Sequence, residues 1–260
     1  MRANDIRKTT EAGLDELIAA VQAGKSEGLR EYLAQMAKFH RYSVTNHFLI
    51  LAQHPQATRV AGYRTWKKLG RQVRRGSKSI RILAPILKRK TDEEALAGFR
   101  TVGVFDISQT DGKSLANFTR PQGDPGPHID RLKRFVAAQG IRLKHSDSLG
   151  GAEGVSRGGE IILRVGLPPA EEFSVLAHEL AHELLHRSPG QNRLVRETEA
   201  EATAFVVCQA VGLDAKDAAS DYIQLYRGDK ETLLASLQRI RRAANLILRA
   251  VLPEEHEAAA

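Results

Sequence analysis

Residues 169–212 read PAEEFSVLAHELAHELLHRSPGQNRLVRETEAEATAFVVCQAVG. A turn, Ser-Pro-Gly-Gln-Asn at 188–192, separates two stretches in which apolar residues recur at helical spacing. The pattern predicts two antiparallel helices, at about 169–187 and about 193–212. This helical hairpin carries the strongest functional signal in the chain.

The first of these helices contains His178, Glu179 and His182 in the order His-Glu-Leu-Ala-His. Two histidines four residues apart lie one turn apart on one face of a helix, so their imidazole nitrogens can bind one Zn²⁺ ion. Glu179 is rotated by about 100° from His178 and is expected to reach a water bound to the metal, which is where metalloproteases place the general base. The spacing therefore predicts a zinc site with Glu179 as its catalytic residue.

The second helix supplies further carboxylates. Glu197 and Glu201 are four residues apart on a face with small and apolar residues, whereas the helical wheel turns Glu199 away. Because a carboxylate on an apolar face needs a partner, Glu197, at the level of His182, is predicted as the third metal ligand. Glu201 is predicted to accept the other ring N–H of a ligand histidine and so to fix its tautomer. The reverse assignment of Glu197 and Glu201 is an open alternative.

Two other potential ligands are excluded by their positions along the helices. His186 lies too far down a continuing helix to reach the ion that His178 binds, and Cys208 lies too far from Glu197. A water in the fourth position would leave an open site, which is typical of catalytic rather than structural zinc.

The basic residues are concentrated in the first half of the chain. The net charge is +8, and residues 41–90 contain 13 Lys and Arg and no Asp or Glu. Ordinary surfaces mix both signs, so this distribution indicates a polyanionic partner. Interleaved aromatic residues favour single-stranded DNA, because unpaired bases stack on exposed rings, although Trp66 and Phe48 also suit a core. The predicted DNA-binding residues are Tyr42, Tyr63, Trp66, Lys67, Lys68, Arg71, Arg74, Arg75 and Lys78.

Hydrophobic periodicity predicts an α+β fold. In the first half, helices are expected at 9–23, 26–39 and 43–53, followed by a β-hairpin of 81–88 with 100–107. In the second half, we expect a helix at 128–138, a strand at 141–145, a hairpin of 153–157 with 160–165, the two helices above, a short helix near 217–226 and a last helix at 230–251.

The segment 119–127 contains three Pro and two Gly, which predicts a linker between two domains. The expected division is a basic helix-plus-hairpin DNA-binding domain at 1–118, the linker at 119–127, and a metal-binding domain at 128–260. A chain of 260 residues with 42% hydrophobic residues is long enough for two cores and is not a disordered chain.

The composition also bears on the compartment. Cys208 is the single cysteine, the first residues show no apolar leader pattern, and no uncharged stretch approaches about 18 residues. We therefore expect a cytoplasmic protein with no membrane partner.

Residues 173–211 resemble the zincin domain of ImmA/IrrE-type metallopeptidases. The similarity rests on the His178 to His182 motif and on the segment Glu-Thr-Glu-Ala-Glu-Ala-Thr-Ala at 197–204, in which Glu201 stands where Asn is usual and Thr203 where Phe is usual. The resemblance implies a zinc-dependent peptide-bond hydrolase.

The first half is similar to the N-terminal domain of ArdC-type antirestriction proteins. The matching pieces include Tyr42-Ser43 with Asn46, Trp66-Lys-Lys-Leu-Gly-Arg71 and Ile82-Leu-Ala-Pro85. The resemblance implies binding of single-stranded DNA and adds Asn46 to the expected DNA-binding residues. The order of the domains, with a metallopeptidase domain following, is also that of the ArdC type.

These observations predict a single-stranded DNA-binding zinc metallopeptidase with a protein or peptide substrate and a link to antirestriction or mobile elements. One alternative is an antirestriction protein that binds DNA without catalysis and uses the metal for stability; another is a protease acting on DNA-bound proteins. The strand at 160–165 is expected to offer its edge to an extended substrate. Tyr222 and Tyr226 are candidates for stabilising the oxyanion by position alone.

Overall fold

The computed structural model describes residues 3–22, 26–90, 93–113, 123–187, 192–213 and 230–252. Four expectations lie outside these residues: the turn at 188–191, the first part of the linker at 119–122, the short helix near 217–226, and the positions of Tyr222 and Tyr226. No helix of the described residues is long and apolar enough to cross a membrane.

The described residues form two compact units, one with residues 3–14 and 42–113 and the other with residues 15–41 and 123–252. The α+β class is confirmed, because helices and mostly antiparallel strands occupy separate stretches of chain. The expected division at 118 stays a prediction. The expected domains differ from the compact units in one respect: residues 15–41 belong to the unit that contains the C-terminal part of the chain.

The first unit is built around a β-hairpin. Helix α1 (Ala3–Gln22) begins in this unit and ends in the second. The other elements are α3 (Val44–Gln53), β1 (Val60–Gly62), α4 (Tyr63–Lys68), β2 (Arg71–Val73), β3 (Ile80–Lys90), β4 (Glu93–Asp106), a short 3-10 helix (Ile107–Gln109) and β5 (Thr110–Gly112). An antiparallel sheet has the order β1-β4-β3, and β2 pairs with β5. The predicted hairpin is confirmed and is longer than expected, with Arg81 opposite Gly103.

Helix α3 closes the free edge of β3 with two side-chain amides. Asn46 donates to the carbonyl of Leu83 and accepts from its N–H, both at 2.9 Å. Seven residues later, Gln53 forms the same pair of hydrogen bonds with the backbone of Arg81, again at 2.9 Å. Because an unpaired strand edge exposes backbone groups, these amides replace a missing neighbouring strand.

The second unit combines helices with a small mixed sheet. Its elements are α2 (Ser26–Lys38), α5 (His128–Ala138), β6 (Arg142–Ser146), β7 (Gly154–Ser156), β8 (Glu160–Arg164), α6 (Pro169–Leu185), α7 (Arg193–Ala210) and α8 (Lys230–Val251). The sheet order is β6-β8-β7, with β6 parallel and β7 antiparallel to β8. The predicted hairpin turn is confirmed at Gly158 and Gly159, whose φ values of +62° and +92° favour glycine.

The sheet order corrects one expectation about substrate binding. Strand β8, which covers most of the predicted strand at 160–165, is central and is paired on both sides. The free edge beside the helical hairpin belongs instead to β7, which packs against α6.

Helix α6 is fixed by its apolar stripe. Pro169 occupies the first turn, where its missing N–H costs nothing, and Glu171 and Glu172 complement the helix dipole there. Phe173, Leu176 and Leu180 are fully buried. Helix α7 packs against α6 and also against α2 and α8, so both of its sides are covered.

Candidate functional site

The three predicted metal ligands lie together on the facing sides of α6 and α7. The Nε2 atoms of His178 and His182 are 3.1 Å apart, and the Oε2 atom of Glu197 is 3.7 Å from the first and 3.4 Å from the second. Two ligands bound at about 2.0–2.1 Å to one tetrahedral ion lie about 3.4 Å apart. The triangle therefore fits a single small divalent cation, and His178, His182 and Glu197 form a candidate metal site.

The charges of this metal group favour a cation. The hydrogen bond from His178 and the nearby His182 lower the pKa of Glu197 to about 2, so its carboxylate is ionised at neutral pH. Burial and the proximity of His178 lower the pKa of His182 to about 4, which leaves its ring neutral. For His182 and Glu197 this is the protonation state that metal binding requires. At His178 burial lowers the pKa, but Glu197, Glu179 and Glu201 outweigh burial and raise it, so an ion would have to displace a proton from that ring.

Glu179 lies beside the metal group under the edge strand β7. It is only 8% exposed, and burial raises the pKa of its carboxyl. The backbone N–H of Ser156 in β7 donates to this carboxylate. A Cβ on Gly154 would approach the side chains of Val175 and Glu179 to 2.5 and 2.9 Å, so only glycine lets β7 lie this close to the helix.

A second carboxylate on α6 holds the far end of the same hairpin. Glu183 is buried and accepts hydrogen bonds from the Ser156 hydroxyl at 2.6 Å and from the Gly159 N–H at 2.8 Å. Glu179 and Glu183, one turn apart, thus both bind β7 or its turn. The sequence reading missed this role of Glu183.

His186, which was excluded as a metal ligand, contacts the predicted ligand His182. His186 is the C-cap of α6 and its N–H still bonds to the His182 carbonyl, so it lies one turn from His182, and its Nδ1 atom is 3.1 Å from the His182 Nδ1 atom. The other ring nitrogen of His186 lies 3.1 Å from Glu199 Oε2. Ser236 and Arg239 on α8 donate to the same Glu199 carboxylate at 2.7 and 3.0 Å.

The hydrogen bonds of this chain of groups fix the tautomer of His182. Burial raises the pKa of Glu199, but hydrogen bonds from His186, Arg239 and Ser236 outweigh burial and lower this pKa. The ionised carboxylate can therefore accept hydrogen bonds but cannot donate one. The Nε2–H of His186 then donates to Glu199, and in a neutral His186 ring the Nδ1 atom accepts from His182 Nδ1–H. His182 is left with a lone pair on Nε2, which faces the metal group.

This arrangement corrects the prediction for Glu199. The helical wheel turned it away from the metal helix, but its side chain is fully buried. The reason is that α7 is covered by α8 as well as by α6, so a wheel with one buried face assigns the second face wrongly. The predicted role of Glu201 stays a prediction; its charge helps to raise the pKa of His178.

The predicted DNA-binding residues divide into exposed and structural ones. Tyr63 is 48% exposed and lines an open cavity of about 870 Å³ together with Gln72, Arg74, Arg75, Phe105 and Asp111. Gln72 donates to the Tyr63 hydroxyl at 2.6 Å, and Arg74 pairs with Asp111 at 3.3 Å. Four more of the predicted DNA-binding cations are exposed to solvent: Lys67, Lys68, Arg75 and Lys78.

Three predicted DNA contacts are corrected by the structure. Trp66 is fully buried and donates its indole N–H to Phe105 O at 2.9 Å. Asn46 is buried, and its side-chain amide is hydrogen-bonded to the backbone of Leu83 at the edge of β3. Arg71 donates to the hydroxyl and carbonyl oxygens of Thr110 at 2.8 Å and to the carbonyl of Gly112, so its guanidinium joins β2 to β5. Tyr42 is half-buried and donates to Val60 O at 3.1 Å.

The structure thus defines an α+β protein with a candidate metal site between two helices and a basic cavity in a separate unit. Residues 2–116 match the family model for the N-terminal domain of anti-restriction factor ArdC. An uncharacterized protein of Bacillus anthracis is 25% identical over 273 residues, which cover 84% of this chain and 46% of that protein. The chain therefore spans about half the length of this relative.

Two crystal structures of the antirestriction ArdC protein from plasmid R388 share the fold. The metal-free structure has a TM-score of 0.53 at 20% identity and covers 93% of this chain and 97% of that one. The Mn(II)-bound structure has a TM-score of 0.53 at 19% identity and covers 95% of this chain and 99% of that one. At this identity the similarity establishes the fold alone.

Proposed function

We propose that the protein is an ArdC-like antirestriction protein that binds single-stranded DNA through the basic cavity and holds a divalent metal ion at the metal group. The observation that carries the proposal is the cavity itself, which lies within the part of the chain that matches the ArdC N-terminal domain. It offers an exposed ring, Tyr63, next to the cations Arg74 and Arg75. Rings stack on unpaired bases and cations bind phosphates, which is the combination that single strands need.

Comparison of single-stranded and duplex DNA tests this binding. The full chain should bind a fluorescent single strand more tightly than a duplex of equal length, because only unpaired bases reach the Tyr63 ring. Tyr63→Ala should weaken single-strand binding by about 1–3 kcal/mol. Equal or tighter duplex binding, measured by fluorescence anisotropy at one salt concentration, would refute the proposed preference.

The metal proposed here is Zn²⁺ or Mn²⁺. The donor set of two imidazoles and one carboxylate suits zinc, and it also suits other first-row divalent ions. Mn(II) is the ion bound in one structure of the R388 protein. His178, His182 and Glu197 would hold the ion, and the ring of His182 is already oriented through His186.

A second candidate function is hydrolysis of peptide bonds, and the position of Glu179 favours it. When bound, the ion would activate water and polarise a carbonyl group. Glu179 is buried beside the metal group, where its carboxylate both accepts from the Ser156 N–H and lies within reach of a water on the ion. Burial raises the pKa of Glu179 toward neutrality, which suits a group that takes up a proton and returns it to a leaving amine.

The edge strand β7 would position an extended substrate for this reaction. Its outer edge is unpaired among the described strands, and it lies against Glu179 through Gly154 and Ser156. A peptide added as a further strand would bring its backbone close to Glu179. A protein bound to DNA is one substrate that would explain why both activities share a chain.

A further inference from the structure

One face of the β1-β4-β3 sheet, called the outer face below, extends from the basic cavity along the hairpin of β3 and β4. In an antiparallel pair, residues opposite each other point to the same side of the sheet. Arg81, Leu83 and Pro85 of β3 lie opposite Gly103, Thr101 and Phe99 of β4. Phe105, two residues beyond Gly103, lies on this side as well and lines the cavity.

This outer face carries an exposed ring at its far end. Phe99 is 61% exposed, more than any other large hydrophobic side chain among the described residues. Phe99 and Phe105 are six residues apart on one strand, which corresponds to roughly 20 Å. The two aromatic positions are thus separated by far more than one base can cover.

A cation lies between the two rings. A Cβ built on Gly103 would lie 3.0 Å from the Ser79 side chain and 3.9 Å from a guanidinium nitrogen of Arg81. The Arg81 head group therefore extends over Gly103, where the absence of a side chain leaves room for it. Arg81 is exposed, and its charge is available on the outer face between Phe99 and Phe105.

The charges of this region favour a polyanion along the whole face. Residues 41–90 contain 13 Lys and Arg and no acid. Of the acids nearest in the described structure, Asp106 is buried and accepts from backbone N–H groups, and Asp111 pairs with Arg74. Beyond Phe99, toward the hairpin tip, the sequence contains three cations at 88–90 and three acids at 92–94, which balance in charge. The excess of positive charge therefore lies on the cavity side of Phe99.

We propose that a single DNA strand follows the outer face from the Tyr63 cavity across Arg81 to Phe99, and that the Phe99 ring is a second stacking platform. This inference rests on the single-strand binding proposed above and extends it to residues that the sequence reading did not select. The site would contact several consecutive nucleotides, with bases on the two ends and a phosphate at Arg81.

Oligothymidylates of two lengths test the track in the full chain. With a strand of about 16 nucleotides, Phe99→Ala should weaken binding between about fivefold and about a hundredfold, as loss of one stacked base does. With a strand of about four nucleotides, which fills the cavity alone, Phe99→Ala should have no effect while Tyr63→Ala still weakens binding. Arg81→Ala should lower the slope of log affinity against log salt by about 0.7 with the longer strand only.

Three further variants separate the loss of a stacking ring from the loss of apolar contact in general. Ile86 is 37% exposed on the same hairpin, and because it follows Pro85 it points to the other side of the sheet. Ile86→Ala should bind both strands like the parent chain. Phe99→Tyr should retain binding, whereas Phe99→Leu, which keeps an apolar side chain without a ring, should weaken it as much as Phe99→Ala.

The possible outcomes distinguish the track from the function on which it rests. If the parent chain binds neither strand, the proposed DNA binding fails and the track fails with it. If Tyr63→Ala weakens binding of the longer strand but Phe99→Ala does not, the DNA-binding function stands and the track is overturned. The same holds if Ile86→Ala weakens binding as much as Phe99→Ala.

Discussion

The metal group of the second unit and the basic cavity of the first unit are assembled in opposite ways. His178, His182 and Glu197 come from two helices adjacent in the sequence, and hydrogen bonds from buried groups hold one of their rings in place. The cavity is lined by residues from Tyr63 to Asp111, which reach it from a short helix, several strands and the connections between them. A site of the first kind depends on helix spacing, and a site of the second kind depends on strand register.

The two regions also differ in what their charged groups do. Around the metal group, Glu179, Glu183 and Glu199 are all buried and hydrogen-bonded to strand β7, its turn or helix α8. In the basic region, Arg71 serves the fold, while Arg75 is exposed. Charged side chains of one type can therefore be structural or available for a ligand, and their partners decide which.

The largest effect is expected at Glu179 and would separate catalysis from metal binding. Glu179→Gln should reduce cleavage of an unfolded test protein such as casein by about a hundredfold or more, because a general base is lost while the ligands stay. Metal content should not change. Glu171→Gln, an exposed carboxylate in the first turn of the same helix, is the matched control.

Two results would count against the hydrolytic candidate. Cleavage by the Glu179→Gln variant at the rate of the parent chain would remove Glu179 from the reaction. Equal protection of DNA by the variant and the parent in a restriction-challenge assay would show that peptide cleavage is not the basis of antirestriction.

The next effect concerns the orientation of His182. His186→Ala should weaken binding of Zn²⁺ by about tenfold to a hundredfold, because the partner that fixes the His182 tautomer is lost. Competition with a chelating dye measures this change, and nitrogen NMR of the His182 ring should show a mixture of tautomers. His145→Ala is the control, since His145 pairs with Glu172 away from the metal group. An unchanged affinity and a single His182 tautomer in the His186→Ala variant would contradict this role.

A third prediction tests whether the basic cavity depends on tertiary contacts. Asp106 is buried at the end of β4 and accepts from the N–H groups of Thr58, Arg59 and Ser108. Asp106→Ala should lower the free energy of unfolding by about 3 kcal/mol, because three backbone donors lose a buried, charged acceptor. Asp106→Asn should cost less. Urea denaturation checks both values, and an unchanged midpoint for the alanine variant would contradict the role.

The same carboxylate gives a pH dependence with a defined sign. Burial raises the pKa of Asp106, but the hydrogen bonds from Ser108, Arg59 and Thr58 outweigh burial and lower it. Its stabilising contribution is therefore present above its unfolded pKa of about 3.9 and is lost as the pH falls through the lower folded value. The difference in stability between the parent and Asp106→Asn should shrink over that acidic range.

The smallest effect distinguishes binding cations from structural ones. Arg75→Ala should lower the slope of log affinity for a single strand against log salt by about 0.7, without changing the thermal midpoint. Arg71→Ala should instead lower the thermal midpoint, because its guanidinium bonds to Thr110 and Gly112 in β5. The opposite pattern would reverse the assignment of these two arginines.

Helix spacing allowed His178 and His182 to be predicted as neighbours, because positions four apart on one helix lie on one face. Glu197 was predicted beside them because it lies about as far after the turn of the helical hairpin as His182 lies before it. Residue type without spacing was a weaker guide: Asn46, Trp66 and Arg71 suit DNA binding by composition, yet strand pairing and core packing use all three. The same spacing places His186 beside His182, whereas the role of Glu199 depends on the packing of α8, which the periodicity of one helix does not contain.

Calorimetric titration of metal-stripped protein with Zn²⁺ and then with Mn²⁺ tests the central claim most directly. The account predicts about one ion per chain for the parent, no saturable binding for His182→Ala, and weakened binding for Glu197→Ala, with His145→Ala behaving like the parent. A parent chain that binds neither ion, or a His182→Ala variant that binds as well as the parent, would contradict the assignment of this group as a metal site.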